Sequence, residues 1–235
     1  MSYQVQAIPV LSDNYAWLVT CPGGERILVD PGCAEDCMKV LDEGRLDWIL
    51  LTHHHADHTG GTDILRERYG AEVIGAGTAR MPQLDREVRG GDVFDCGLSV
   101  QVFATPGHAI GHVSYFMPQI PALFCGDVLF SVGCGRLLEG SADELFKSIR
   151  LFDALPDETL LCAGHEYTES NIRFARQIEP ENAALKAYES SVFALRTEGR
   201  PSLPTYLGLE RQVNPFLRAP TVESFAELRR AKDAS

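Results

Sequence analysis

Short apolar runs rich in β-branched residues, separated by Gly, Pro and Asp, fill the first two thirds of the chain. They are Arg26 to Val29, Trp48 to Leu51, Glu72 to Ile74, Leu98 to Phe103, Val113 to Phe116, Ala122 to Phe124 and Thr159 to Cys162. Runs of this length bounded by turn residues predict strands. Between some of them the apolar period lengthens to that of a helix. Ile64, Leu65 and Tyr69 share a face after Gly60-Gly61, and Leu145, Ile149 and Phe152 follow Ser141, whose Ser-x-x-Glu144 spacing makes a capping box. The class is therefore α/β. Beyond about residue 167 the strand signal fades, and helices are predicted over Glu169 to Ile178, Asn182 to Arg196 and Val222 to Lys232, the last with Thr221 as N-cap. Pro201-Ser202-Leu203-Pro204 reads as an irregular connection, and no internal repeat or low-complexity tract interrupts the pattern.

With 235 residues, 45% of them hydrophobic, the chain can fill the core of one large domain or of one domain with an appendage. No apolar run approaches the roughly 20 residues of a membrane span, and Met1-Ser2-Tyr3-Gln4-Val5-Gln6 lacks the basic-then-apolar layout of a signal peptide, so a soluble cytoplasmic protein is expected. The seven cysteines are scattered and never spaced C-x-x-C, which suggests neither a disulfide framework nor a thiolate zinc site. A net charge of −12 argues against nucleic acid as a partner.

Histidine placement carries the chemistry. All seven histidines fall in three short segments: His53, His54, His55 and His58; His108 and His112; and His165. Each segment follows a predicted strand, and ligands of open α/β sheets gather beyond the carboxyl ends of strands. Asp127 follows the Ala122 to Phe124 run. His53 and His55, two apart in an extended stretch, point to one side, while Asp57 and His58 lie where the chain curls toward a helix. This dense donor set can serve two neighbouring ions. Imidazole and carboxylate without thiolate suit zinc, with iron or manganese as substitutes, and a shared carboxylate leaves room for a bridging water. His108, Asp127 and His165, taken singly, are equally readable as ligands or as hydrogen-bonded structural residues. His54 and His112 read as the latter.

Thr52-His53-His54-His55-Ala56-Asp57-His58-Thr59-Gly60-Gly61, Thr105-Pro106-Gly107-His108 and Cys125-Gly126-Asp127 together resemble the metallo-β-lactamase superfamily. The resemblance implies a four-layer α/β/β/α sandwich with a C-terminal helical appendage. Asn14-Tyr15, Asp30-Pro31-Gly32, Phe130 to Arg136 and Gly164-His165-Glu166-Tyr167-Thr168 narrow it to the glyoxalase II (hydroxyacylglutathione hydrolase) family over the whole chain. It implies a metal-binding catalytic domain over residues 1–167 and a helical, glutathione-binding domain over 168–235. One metal is implied on His53, His55 and His108 and a second on Asp57, His58 and His165, with Asp127 bridging. Asp57 and Asp127 are the implied catalytic carboxylates, acting with a hydroxide between the ions. Asp30 reads either as an orienter of a ligand imidazole or as a plain strand-end turn residue. Arg136, Tyr167, Arg229 and Lys232 are the implied glutathione contacts, and Arg229 and Lys232, three apart on a predicted helix, can share a face. Many family members carry an aromatic residue where this chain has Leu138, and its C-terminal region is short for the family.

The implied reaction is hydrolysis of S-(2-hydroxyacyl)glutathione, S-D-lactoylglutathione above all, to D-lactate and glutathione in methylglyoxal detoxification. The only partner expected is that small thioester, with no nucleic acid and no membrane, and the chain is expected to be a monomer. Metal-activated water suffices as nucleophile, so no Ser, Cys or Lys is required. Competing readings are a mononuclear iron persulfide dioxygenase or a nuclease of the same superfamily, and a metal-stabilised module that binds glutathione conjugates without turnover.

Overall fold

The computed structural model describes residues 2–235. Its first six-stranded sheet runs in chain order: β1 (Gln4–Val10), β2 (Asn14–Thr20), β3 (Arg26–Val29), β4 (Trp48–Leu51), β5 (Glu72–Ala76) and β6 (Arg86–Val88). β1 to β3 are antiparallel and β3 to β6 parallel. The second orders β14 (Thr205–Tyr206), β13 (Leu160–Ala163), β10 (Ala122–Gly126), β9 (Val113–Met117), β8 (Ser99–Ala104) and β7 (Val93–Asp95). A two-stranded ribbon, β11 (Leu129–Phe130) and β12 (Gly133–Cys134), stands apart.

Side-chain alternation along the strands builds the layers. Tyr15, Trp17, Val19, Ile27, Val29 and Leu50 face the second sheet and share a core with Val100, Val102 and Tyr115. Their neighbours Ala16, Leu18, Leu28, Ile49, Leu51 and Val73 point the other way, against α1 (Ala34–Leu41) and α3 (Thr62–Tyr69) through Cys37, Leu41 and Leu65. On the far side, α4 (Ala142–Arg150) adds Leu145 and Ile149 to the inner core, and its Ser141–Glu144 capping box forms as expected. The result is two mixed sheets between helices.

The C-terminal part contributes α5 (Thr168–Ile178), α6 (Ala183–Thr197), α7 (Leu207–Val213), α8 (Pro215–Arg218) and α9 (Val222–Asp233). Ile172, Ala175, Leu185, Val192 and Val213 form its own small core, into which Val132 of the ribbon inserts. This region is not purely helical: β14 joins the second sheet beside β13. The β1–β2 hairpin and the short helices α1, α2 (Ala56–Thr59), α7 and α8 also go beyond the sequence expectation. β1 carries Gln4, Gln6 and Pro9 and is half exposed, whereas helices of four to eight residues are held by packing rather than by propensity.

All the candidate ligands leave carboxyl ends of strands. Thr52 to His58 follow β4, Asp127 follows β10, His165 follows β13, and His108 lies in the loop after β8. β8, β10 and β13 run in one direction. At this edge the sheets are tied together by hydrogen bonds from Val113 N to Thr52 O and from Tyr15 N to Gly164 O, both 2.8 Å.

Candidate metal centre

Asp30, at the end of β3 with φ of 51°, anchors the turn after β4. It accepts the Thr52 N–H at 2.8 Å and the Thr52 hydroxyl at 2.6 Å. Since that hydroxyl donates to Asp30, it accepts from His53 Nδ1, 3.0 Å away, which leaves the lone pair on His53 Nε2. His53 Nε2 lies 3.1 Å from His55 Nδ1, and His108 Nε2 lies 3.2 Å from the same atom. His108 donates through Nδ1 to the Arg136 carbonyl at 2.9 Å, so its Nε2 is also a lone pair. Three imidazole nitrogens thus converge.

A second group forms beside the first. His58 Nδ1 donates to Asp30 Oδ2 and His165 Nδ1 to Asp13 Oδ1, each at 3.0 Å, so both rings turn an Nε2 lone pair inward. Asp57 Oδ2 lies 3.4 Å from His165 Nε2 and 3.6 Å from His58 Nε2, and the Asn14 amide holds it at 2.9 Å. Asp127 reaches both groups. Its Oδ2 is 3.2 Å from His165 Nε2 and 3.5 Å from His108 Nε2, and its Oδ1 is 3.4 Å from His58 Nε2.

His58 Nε2 and Asp127 Oδ1 are buried without a hydrogen-bond partner. A buried polar atom left unpaired is costly, and a cation between the groups supplies the missing partner. The donor atoms of His53, His55 and His108 lie within 4.8 Å of one another, as do those of Asp57, His58 and His165, so two ions fit. The field has the matching sign. Burial lowers the His165 pKa, yet the Asp127 and Asp57 carboxylates outweigh it and hold it at about 10, so with no metal bound a proton takes the cation's place on Nε2. Burial would likewise raise Asp127, but His58 and His165 keep it well below the usual carboxylate range. Burial, with His58 and His112 nearby, holds His53 well below its ordinary value, in the neutral form a metal ligand needs.

Several surrounding roles are now concrete. Asp30 orients His58 and the His53 turn, which resolves its two readings. His112 is a buried structural residue as expected: it faces Thr105 at 2.9 Å and accepts the Asp127 backbone N–H at 3.3 Å. His54 faces Glu139 at 3.3 Å. Asp13 orients His165 from a position that no spacing in the sequence marks.

The two groups floor a cavity of about 560 Å³, whose walls include Phe130, Arg136, Tyr167 and Lys232. The Tyr167 ring stacks on His165 with centroids 4.6 Å apart, and Arg136 and Leu138 are exposed at the rim. Burial and the guanidiniums of Arg229, Arg173 and Arg136 depress the Lys232 pKa, marking a concentration of cations on an acidic chain. Lys232 Nζ donates to the Ser170 carbonyl at 2.9 Å. Arg229 also borders the cavity but is only 4% exposed. Its guanidinium donates to the Cys134 carbonyl at 2.9 Å and pairs with Asp233 at 2.7 Å.

Comparison with known proteins gives two consecutive matches, to the metallo-beta-lactamase superfamily over residues 11–165 and to the hydroxyacylglutathione hydrolase C-terminus over residues 166–235. A hydroxyacylglutathione hydrolase of Acidiphilium cryptum is 47% identical over 236 aligned residues, covering 98% of this chain and 96% of the relative. One from Ruegeria pomeroyi is 44% identical, with 99% of each chain covered. Among solved structures, ETHE1 from Myxococcus xanthus superposes with a TM-score of 0.71 at 28% identity, over 98% of this chain and 90% of that one. The BLEG-1 B3 metallo-beta-lactamase gives 0.70 at 25% identity, over 91% and 99%.

Proposed function

The chain belongs to the hydroxyacylglutathione hydrolases of the metallo-β-lactamase superfamily, and from that membership we propose that it cleaves S-D-lactoylglutathione to D-lactate and glutathione, in methylglyoxal detoxification. It is an enzyme of glutathione thioesters. The observation that carries the mechanism is the Asp127 carboxylate, which contacts both groups of converging lone pairs.

In this reading His53, His55 and His108 hold one divalent ion, Asp57, His58 and His165 hold the other, and Asp127 serves both. Zinc suits these donors, with iron or manganese as substitutes. Bound there, such ions lower the pKa of water from about 15.7 toward about 7 and so supply hydroxide at neutral pH. Asp57, steadied by the Asn14 amide, and Asp127 orient the nucleophile as the catalytic carboxylates. Arg136, Lys232 and Tyr167 hold the glutathione moiety, which turns encounter into positioned attack. Arg229, which also borders the cavity, completes this set and in addition holds the Cys134 carbonyl two residues before Arg136. The leaving thiolate needs little protonation, because thiol pKa values lie near about 8.5.

All seven proposed ligands lie in the catalytic domain of residues 1–167, and the glutathione contacts are shared between it, through Arg136 and Tyr167, and the helical domain of residues 168–235, through Arg229 and Lys232. No helix among the described residues is long and apolar enough to cross a membrane, and the enzyme is proposed to act in the cytoplasm as a monomer. Elemental analysis of the purified protein together with a thioester hydrolysis assay tests the whole reading. Two metal ions per chain with turnover of S-D-lactoylglutathione is the expected result. A fully loaded protein that leaves the thioester intact overturns it, and a single iron per chain shifts the reading to a persulfide dioxygenase.

A further inference from the structure

The ribbon β11–β12 has a loop of two residues, Ser131-Val132, and Val132 adopts a φ of 59°. A two-residue turn with a positive φ at its second position favours Gly or Asn there. A β-branched residue in this region is a strained outlier that persists only where its surroundings over-determine it. Those surroundings come from the C-terminal helices. Glu210 on α7, fully buried, accepts the Val132 N–H and the Ser131 hydroxyl, both at 2.7 Å. Asn214, also fully buried, donates to the carbonyls of Phe130 and Gly133, each at 3.1 Å, and to Glu210 at 3.2 Å. Asn171 on α5 donates to the Ser131 carbonyl at 3.0 Å. The Val132 side chain itself is buried in the helical core.

The other end of the ribbon is the metal centre. Asp127 lies just before β11, and Gly135-Arg136 follows β12. Gly135 N donates to Val128 O at 3.2 Å, and a side chain at Gly135 would strike the Asp127 carbonyl. The Arg136 carbonyl is the acceptor that fixes the His108 ring. Phe130, within the ribbon, meets the rings of His165 and Tyr167 at centroid distances of 5.9 and 5.2 Å.

We propose that Glu210 is a positioning residue: with Asn214 and Asn171 it holds the Ser131-Val132 turn in a conformation Val132 disfavours, and so sets Asp127 and the Arg136 carbonyl in place. The proposal rests on the metal-centre reading above. It makes the helical appendage part of the apparatus that shapes the metal site as well as a wall for substrate. Glu210 touches neither ion nor substrate, and its influence travels through one short ribbon.

Metal retention against a competing chelator, followed by elemental analysis, tests this alongside kcat and KM. Glu210→Ala is expected to weaken metal retention and lower kcat about tenfold, the lower end for groups that orient ligands from behind. Glu210→Gln keeps the acceptor for Val132 N–H and is expected to stay within about twofold of the parent, in keeping with the small cost of a retained hydrogen bond. The decisive variant is the double substitution Glu210→Ala with Val132→Gly. Glycine adopts positive φ freely, so metal retention should recover even though the loss of a buried valine lowers Tm further. A folded Glu210→Ala protein with parental retention and kcat overturns the proposal, and so does a double variant no better than Glu210→Ala. Should Glu210→Ala fail to fold, Ser131→Ala removes one of the two donors, and unchanged metal retention in it overturns the proposal too. If the parent binds two metals but does not turn over the thioester, the proposed function fails while the retention series still reads out the role of Glu210.

Discussion

At the scale of single residues, much depends on which atoms are left without a partner. Arg229 borders the cavity with its Nε unpaired, while its terminal nitrogens hold Cys134 O and Asp233. Arg229→Ala should therefore raise KM and also lower Tm, because it strands a buried carbonyl at a cost of about 1–3 kcal/mol. Steady-state kinetics with a melting curve checks this, and a strong loss of kcat alone would contradict it. Glu210 gives a signed pH effect. Burial raises its pKa to about 7, against the opposing pull of hydrogen bonds from Val132, Ser131 and Asn214. A carboxyl whose folded pKa lies above its unfolded value of about 4.3 stabilises the fold below that value, and this stability is lost as pH rises through about 7. Glutamine does not titrate. The Tm of Glu210→Gln relative to the parent should rise between pH 5 and pH 8, and a difference that stays flat or falls would show that Glu210 is not a buried titrating group.

At the scale of elements, strand ends do the work of delivery. β13 ends in Ala163, and Gly164 follows at a point where a Cβ would sit 2.5 Å from Asp127 Oδ1 and 2.6 Å from His58 Cε1. Gly164→Ala changes no ligand, yet it should expel metal and activity together, which elemental analysis and the hydrolysis assay detect. An active, fully loaded Gly164→Ala enzyme would mean that Gly164 is not packed against Asp127 and His58. β3 and β4 have the bounds their apolar runs predict, because buried parallel strands are written as continuous Val, Ile and Leu. β1 escaped detection because its polar positions and Pro9 mimic a loop, and only pairing with β2 makes it a strand. α7 and α8 escaped for a related reason: seven and four residues cannot form a stable helix alone, and burial of Val213, Phe216 and Leu217 holds them.

At the scale of the molecule, two sheets and a helical appendage converge on one edge, and the metals are expected to hold that edge together. Ligands that bind the native state and not the unfolded chain add RT ln(1 + [L]/Kd), about 2.7 kcal/mol at a hundredfold excess over Kd. Chelation should thus lower Tm measurably and restoration of zinc should reverse it, whereas an unchanged melting curve would argue against ions bridging the sheets. The amino-acid sequence by itself determined the α/β class, the strands that carry the donors, and the donor types, since strand periodicity and the His-x-His-x-Asp-His spacing are local properties of the chain. Tertiary structure alone decided which groups face those donors from behind. Asp13 meets His165 across 152 positions and Glu210 meets Val132 across 78. Contacts of that separation leave no periodic trace in the sequence, because they arise only when packing brings distant turns to the same edge.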